Sequence, residues 1–138
     1  MVQLETPIIC LDTTFLIDLL RELPAAVDKA GELRGVRSEL STTSINAFEA
    51  YIGAIRSANS KRVAALEALL ADLRILLLGK AEAEASASIM VDLMKDGKSI
   101  EMRDALIAGC MLTNACRSIV TRNTGDFSRI PKIEVIVY

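Results

Sequence analysis

Ile8-Ile9-Cys10-Leu11-Asp12-Thr13-Thr14-Phe15-Leu16-Ile17-Asp18-Leu19-Leu20 is the stretch on which the fold turns. It opens with four apolar residues in a row, a run whose length and β-branched content suit a strand buried on both faces, as in a parallel sheet. Leu16, Leu19, Leu20 and Leu23 then recur at helical spacing and form one apolar stripe. The segment therefore reads as strand, sharp turn and helix, with Asp12 at the junction.

The same grammar repeats outward from this segment. Apolar runs at 74–78 (RILLL), 118–121 (SIVT) and 133–137 (IEVIV) are expected strands, and a weaker one lies near 37–42, diluted by Ser38, Glu39 and Ser41. Between them, 14–33, 44–72, 79–95 and 100–116 are rich in Ala, Leu, Glu, Lys and Arg and read as helices, with Leu66, Leu69, Leu70 and Leu73 forming a second stripe. Pro24 interrupts the first helical stretch, Gly31 and Gly35 bracket a turn, Gly79 ends the third strand and Gly97 precedes another helix. Strands alternating with helices imply right-handed crossovers and a three-layer α/β architecture. The length of 138 residues suits one domain over 1–138, with no repeat or linker.

Composition narrows the function classes. A chain that is 51% hydrophobic and 25% charged can pack a proper core. No apolar run approaches the ~20 residues that span a bilayer, and the amino terminus, with Glu5 and Pro7, lacks the basic start of a secretory signal; the expectation is a cytoplasmic protein without a membrane partner. Cys10, Cys110 and Cys116 form an odd set with no CxxC pair, which points to a reducing compartment and inert core thiols. The absence of histidine excludes Ser-His-Asp and Cys-His nucleophiles, His-ligated zinc and two-histidine ribonuclease chemistry. Any catalysis must run on carboxylates, hydroxyls, lysine or a bound cation. A net charge of −2 argues against gripping nucleic acid through a broad basic surface, so a nucleic-acid substrate would need a bound dication and a local basic rim.

In an open parallel sheet, ligands bind beyond the carboxyl ends of the strands. Asp12 stands there, directly after Leu11, although it also suits the N-cap of the following helix, a task Thr13 or Thr14 could take instead. Asp126 follows the strand 118–121 through Arg122-Asn123-Thr124-Gly125; an Asx turn or a short-helix cap is its local alternative. Glu49 lies one turn into the helix at 44–58, and Asp104 lies near the start of the helix 100–116 among apolar neighbours. A surface ion pair and a favourable helix-start acid are their local alternatives. Jointly these readings weaken, because all four segments can deliver their acids to one sheet edge. Two carboxylates ~5 Å apart repel by about 3 kcal/mol at an effective dielectric near 20, so four converging acids require cations among them. An all-oxygen ligand set selects Mg²⁺ or Mn²⁺. Such a site activates water and stabilises charge on phosphoryl oxygens.

With these residues in view, the chain resembles PIN-domain ribonucleases and, among them, the VapC-type toxins of toxin–antitoxin pairs. Four segments carry the match: Leu11-Asp12-Thr13-Thr14-Phe15-Leu16-Ile17-Asp18, Ser44-Ile45-Asn46-Ala47-Phe48-Glu49, Arg103-Asp104-Ala105-Leu106-Ile107-Ala108 and Thr121-Arg122-Asn123-Thr124-Gly125-Asp126-Phe127. The resemblance implies a parallel five-strand sheet between helices. It implies that Asp12, Glu49, Asp104 and Asp126 are the catalytic acids holding Mg²⁺ or Mn²⁺. It places hydroxyl or amide groups near the metal or phosphate, where Thr13, Thr121 and Asn123 stand. It further implies endonucleolytic cleavage of RNA, often a structured RNA, a homodimer, and a small antitoxin that inserts a segment, commonly with an Arg, towards the acids. The apolar excess of 14–33 and 44–72 offers surfaces for both partners. Arg122, Arg103 and Lys98 are candidate rim cations for the RNA backbone, with solvated surface charge as the alternative. Thr14 stands where the family often has Asn or Ser, and Gly109 where Ala is usual.

Two other readings are weaker. A haloacid-dehalogenase-like phosphatase needs a second acid two residues after the first, where this chain has Thr14. A PIN fold reduced to a binding module would lack part of the acidic set, all of which is present. Mutual repulsion among the acids also predicts that Asp12→Asn leaves metal-free stability unchanged or higher, with a large loss instead marking the capping role.

Overall fold

The computed structural model describes residues 6–138. Its elements run β1 (Ile8–Leu11), α1 (Thr13–Leu20), α2 (Pro24–Gly35), β2 (Glu39–Thr43), α3 (Ser44–Arg56), α4 (Ser60–Ala71), β3 (Arg74–Leu76), α5 (Lys80–Lys95), α6 (Met102–Thr113), β4 (Ser118–Val120), α7 (Thr124–Ser128) and β5 (Glu134–Ile136). The five strands form one parallel sheet in the order β3-β2-β1-β4-β5. Strand β1 is central, and the chain winds away from it in both directions.

Alternation along the strands builds the layers. Ile9, Leu11 and Val120 face one core with Phe15 and Leu16 of α1, Ala26 of α2, Ala50 and Ala54 of α3 and Leu66 of α4. Cys10 and Ile119 face the other, with Leu93 of α5 and Ile107 and Met111 of α6. A fully buried side chain of the Leu or Phe class contributes about 1.5–3 kcal/mol, so both helix layers are anchored mainly by these contacts. The three cysteines are buried and free. Burial raises the Cys10 thiol well above its ordinary value and Cys110 to about 11, which suits packing rather than reactivity.

Two expected helices are each divided. The stretch 14–33 breaks at Glu22, whose φ is 55°, and restarts with Pro24 in the first turn of α2. The stretch 44–72 breaks at Ala58, φ 53°, and Asn59 caps α4 by accepting from the Lys61 amide. The expected strands 74–78, 118–121 and 133–137 shorten to three residues each. The faint strand near 37–42 is real and shifted to Glu39–Thr43. Its Ser41, Thr42 and Thr43 are fully buried. Ser41 Oγ donates to the Ile9 carbonyl at 3.0 Å and Thr42 Oγ1 to the Leu11 carbonyl at 2.7 Å, so hydroxyls survive in the core because the neighbouring strand accepts from them.

Gly109 sits where α6 meets α5. A Cβ there would lie 1.9 Å from Ser86 Oγ and 2.6 Å from the Glu82 carbonyl oxygen, so the departure from Ala follows from close helix approach. Among the described residues, no helix is long and apolar enough to cross a membrane.

Candidate active site

Strand order reverses at β1, so the carboxyl ends of β1 and β4 open onto a crevice at the switch point. Asp12 leaves β1 in extended conformation and caps α1, its Oδ1 accepting from the Thr13 amide at 2.9 Å. It faces the crevice at the same time. Oδ1 also accepts from Asn46 Nδ2 and Arg103 Nη2, each at 2.9 Å, and Oδ2 accepts from Thr121 Oγ1 at 2.6 Å. Capping and site membership, alternatives in the sequence, are both fulfilled by one side chain that is 1% exposed.

Helix α3 brings Glu49 to the same place. Its start is fixed by a capping box between Thr43 and Asn46, and the Asn46 amide nitrogen then reaches Asp12 and Thr13. Glu49 Oε1 accepts from Thr13 Oγ1 at 2.6 Å, and both its oxygens accept from Arg103 Nε at 2.7–2.8 Å. Asp104, in the first turn of α6, is fully buried. It accepts from Arg103 Nη1 at 2.5 Å and from Asn123 Nδ2 at 3.2 Å.

Arg103, a candidate rim cation in the sequence, thus lies among the acids. Burial works against its charge, yet hydrogen bonds to Glu49 and Asp12 raise its pKa above the ordinary value. The repulsion expected of a metal-free cluster is relieved in part by this one guanidinium.

Asp126, in the short helix α7, stands on the far side of Asp104. Its Oδ2 accepts from the Glu101 amide at 3.1 Å. One carboxylate oxygen each from Glu101, Asp104 and Asp126 lies within 4.8 Å of the others; Arg103 contacts Asp104, and Arg129 Nη1 stands 3.9 Å from Asp126 Oδ1. Burial, then a hydrogen bond shared with Asp126, pushes the Asp104 carboxyl up to about 7. The same shared bond lowers Asp126. The opposite shifts are the direction expected of two crowded carboxyls that favour one proton between them. An all-carboxylate triad with excess negative charge fits a hard dication such as Mg²⁺ or Mn²⁺.

The hydroxyl and amide candidates also converge. Thr13 Oγ1 bridges Glu49, Asn46 and Arg103; Thr121 Oγ1 bridges Asp12 and the Asn123 amide; Asn123 reaches Asp104. Arg122 turns to the outer side, pairing with Asp18 at 2.9 Å and covering the Tyr138 ring 5.2 Å from its centroid. Tyr138 Oη donates to Asp18 at 2.5 Å. Glu101 and the structural part played by Asn46 were not foreseen. Both are exposed to inspection only as capping-region residues, a signal too common to single them out. Among the described residues every buried side-chain polar atom has a partner. Beside Glu49 and Arg103 opens a cleft of about 480 Å³ with Ile45, Phe48, Leu78, Met102 and Leu106 on its walls.

A PIN domain profile matches residues 9–133. No curated protein sequence matches the chain. The fold is similar to a chain of DNA-bound VapBC from Salmonella typhimurium, at 26% identity and a TM-score of 0.81 over 96% of this chain and 98% of that one. It is similar to a chain of VapBC2 from Rickettsia felis bound to a promoter DNA fragment, at 20% identity and a TM-score of 0.82 over 95% and 98% of the two chains. It is similar also to VapC20 of Mycobacterium tuberculosis, a sarcin-ricin loop cleaving toxin, at 16% identity and a TM-score of 0.60 over 80% and 86%. With the profile match spanning most of its length and the acids gathered at the sheet's switch point, this chain belongs to the PIN domain family.

Proposed function

We propose that this chain is the toxin of a VapBC-type pair, a cytoplasmic endoribonuclease that hydrolyses RNA phosphodiester bonds with Mg²⁺ or Mn²⁺ held by Asp12, Glu49, Asp104 and Asp126. The observation that carries this reading is the gathering of Asp12, Glu49, Asp104 and Asp126 at the carboxyl ends of β1 and β4, where one oxygen each of Glu101, Asp104 and Asp126 lies within 4.8 Å of the others. The bound ion would supply an activated water and charge stabilisation at phosphoryl oxygens. The chain's own groups then have distinct duties. Three donors besides Arg103, namely the Thr13 amide, Asn46 Nδ2 and Thr121 Oγ1, fix Asp12 in place. The Asn123 amide orients Asp104, and the Thr121 hydroxyl orients Asp12. Thr13 holds Glu49 towards the crevice.

Partners follow from surfaces. Phe48, Ile52 and Ile55 form an exposed stripe along α3, supporting a homodimer through this face. Ile17, Leu20, Ala50, Gly53 and Ala65 line an apolar groove with Arg21 and Arg62 at its edges, suited to a helical segment of a small antitoxin, and the similar VapBC structures support such a partner.

The test is cleavage of a structured RNA by wild type and Asp104→Asn, each with Mn²⁺ and with EDTA. Cleavage by wild type with Mn²⁺ alone is expected, with a loss of roughly 100-fold or more in the variant. Equal activity in all four conditions would remove the metal mechanism.

A further inference from the structure

We infer that Arg103 is a resident counter-cation that competes with the dication for the acids, so that loading the site requires the guanidinium to withdraw. The inference rests on the metal reading above and deepens it. Three observations carry it.

Arg103 binds the acids as an ion would. Its Nε meets both oxygens of Glu49, Nη1 meets Asp104, and Nη2 meets Asp12 and Thr13. Three of the four acids thus spend lone pairs on one side chain, and carboxylate oxygens facing N–H groups are withheld from a metal. The fourth acid, Asp126, has no bond to Arg103; it lies with Glu101 and Asp104, and its nearest cation, Arg129 Nη1, stands 3.9 Å away, outside hydrogen-bond distance. The cluster is therefore divided into a filled half and an open half, although the sequence suggests one site.

Withdrawal is feasible because Arg103 is not locked in. Its side chain is 26% exposed, whereas those of Asp12 and Asp104 are 1% and 0% exposed. The residue lies in the first turn of α6, so its side chain can turn without moving the helix. The room it needs adjoins it: the 480 Å³ cleft that Arg103 itself lines together with Leu78, Met102 and Leu106.

Charge conservation gives the direction of coupling. A dication entering between Asp12, Glu49 and Asp104 would sit against the guanidinium, and two like-charged groups cannot share those oxygens in a low-dielectric crevice. Mn²⁺ affinity in the wild type is therefore reduced by the free energy that holds Arg103 in place, and removing the side chain returns it.

The experiment measures Mn²⁺ binding by isothermal titration calorimetry, and melting temperature with and without Mn²⁺, for wild type, Arg103→Gln, Arg103→Lys and Arg122→Gln. Arg103→Gln is expected to bind Mn²⁺ roughly tenfold or more tightly than wild type, to melt lower without metal, and to gain more from Mn²⁺. Arg122→Gln removes the same charge outside the cluster, so its affinity should stay within about threefold of wild type. Arg103→Lys keeps the charge but loses the planar fork, and safeguards the test if Arg103→Gln does not fold; an affinity between wild type and Arg103→Gln, or simply above wild type, supports displacement. Equal or weaker Mn²⁺ binding by the Arg103 variants overturns the inference while leaving the metal reading intact, as does an equal gain in Arg122→Gln. Absence of Mn²⁺ binding in every protein overturns both.

Discussion

Asp12 and Asp126 are two acids of one crevice, and they are supported in opposite ways. Asp12 is 1% exposed and surrounded by four donors, among them a guanidinium. Asp126 has a fifth of its side chain exposed, one backbone amide donor, the Arg129 guanidinium at 3.9 Å and the Asp104 carboxyl beside it. The difference teaches that a cluster of like charges need not be uniformly strained. A guanidinium bonds directly to the acids on one side, whereas on the other the cation stands 3.9 Å away and two carboxyls crowd each other.

Substituting the two acids tests that contrast most directly. Asp12→Asn places an NH₂ group against a shell of donors and takes a partner from Arg103, so it should cost about 2–4 kcal/mol of metal-free stability by urea denaturation. Asp126→Asn should change it by about 0.5 kcal/mol or less. This reverses the expectation from repulsion alone, which has Asp12→Asn neutral or stabilising; equal losses in the two variants would break the contrast.

A loss of comparable type can be made far from the acids. Gly109→Ala forces α5 and α6 apart, because the Glu82 carbonyl cannot move aside as Ser86 Oγ can, and should cost about 1–3 kcal/mol. It should do so equally at pH 5 and pH 7.5, which sets the baseline for the next measurement.

Metal-free stability should fall as pH rises from about 4 to about 7. The folded Asp104 carboxyl titrates near 7, above its unfolded value, so the folded state holds the extra proton. That contribution is complete below the unfolded pKa and is lost as pH rises through 7. Asp126, lowered in the folded state, acts oppositely and only at the acid end. Asp126→Asn should make the decline shallower, since burial continues to raise Asp104 but the neighbouring charge is gone. An unchanged slope would mean that the two carboxyls do not share a proton. Adding Mn²⁺ should flatten the wild-type profile in the same differential scanning measurement.

A modest effect is expected outside the cluster. Tyr138→Phe removes one hydrogen bond to Asp18, leaves the ring on Phe15, and should cost about 0.5–1.5 kcal/mol with the pH profile retained.

Much of this was legible in the residues. The run Ile8–Leu11 followed by Asp12 announces a central parallel strand, because only a strand covered on both faces is apolar throughout. The convergence of Glu49 and Asp104 follows from their places near helix starts after strands, and the structure turns both inward. What stayed hidden depends on long-range partners. Ser41 and Thr42 read as polar until the carbonyls of β1 lie beside them, and Thr43 until its hydroxyl closes the capping box with Asn46. Arg103 reads as surface charge, since nothing local distinguishes a rim cation from one enclosed by residues 12 and 49. The breaks at Glu22 and Ala58 are single left-handed residues without glycine, which no helical periodicity announces, although Pro24 marks the first.

The strand order also governs when the crevice can come into being during synthesis. Asp12 leaves the ribosome early, but Thr121, which braces it, and Asp126 come more than a hundred residues later, and β4 gains its outer neighbour only with Glu134–Ile136. A growing chain therefore carries its first acids for most of its elongation without a pocket to hold them. The crevice is therefore completed late and all at once, when the last strands of the sheet are in place.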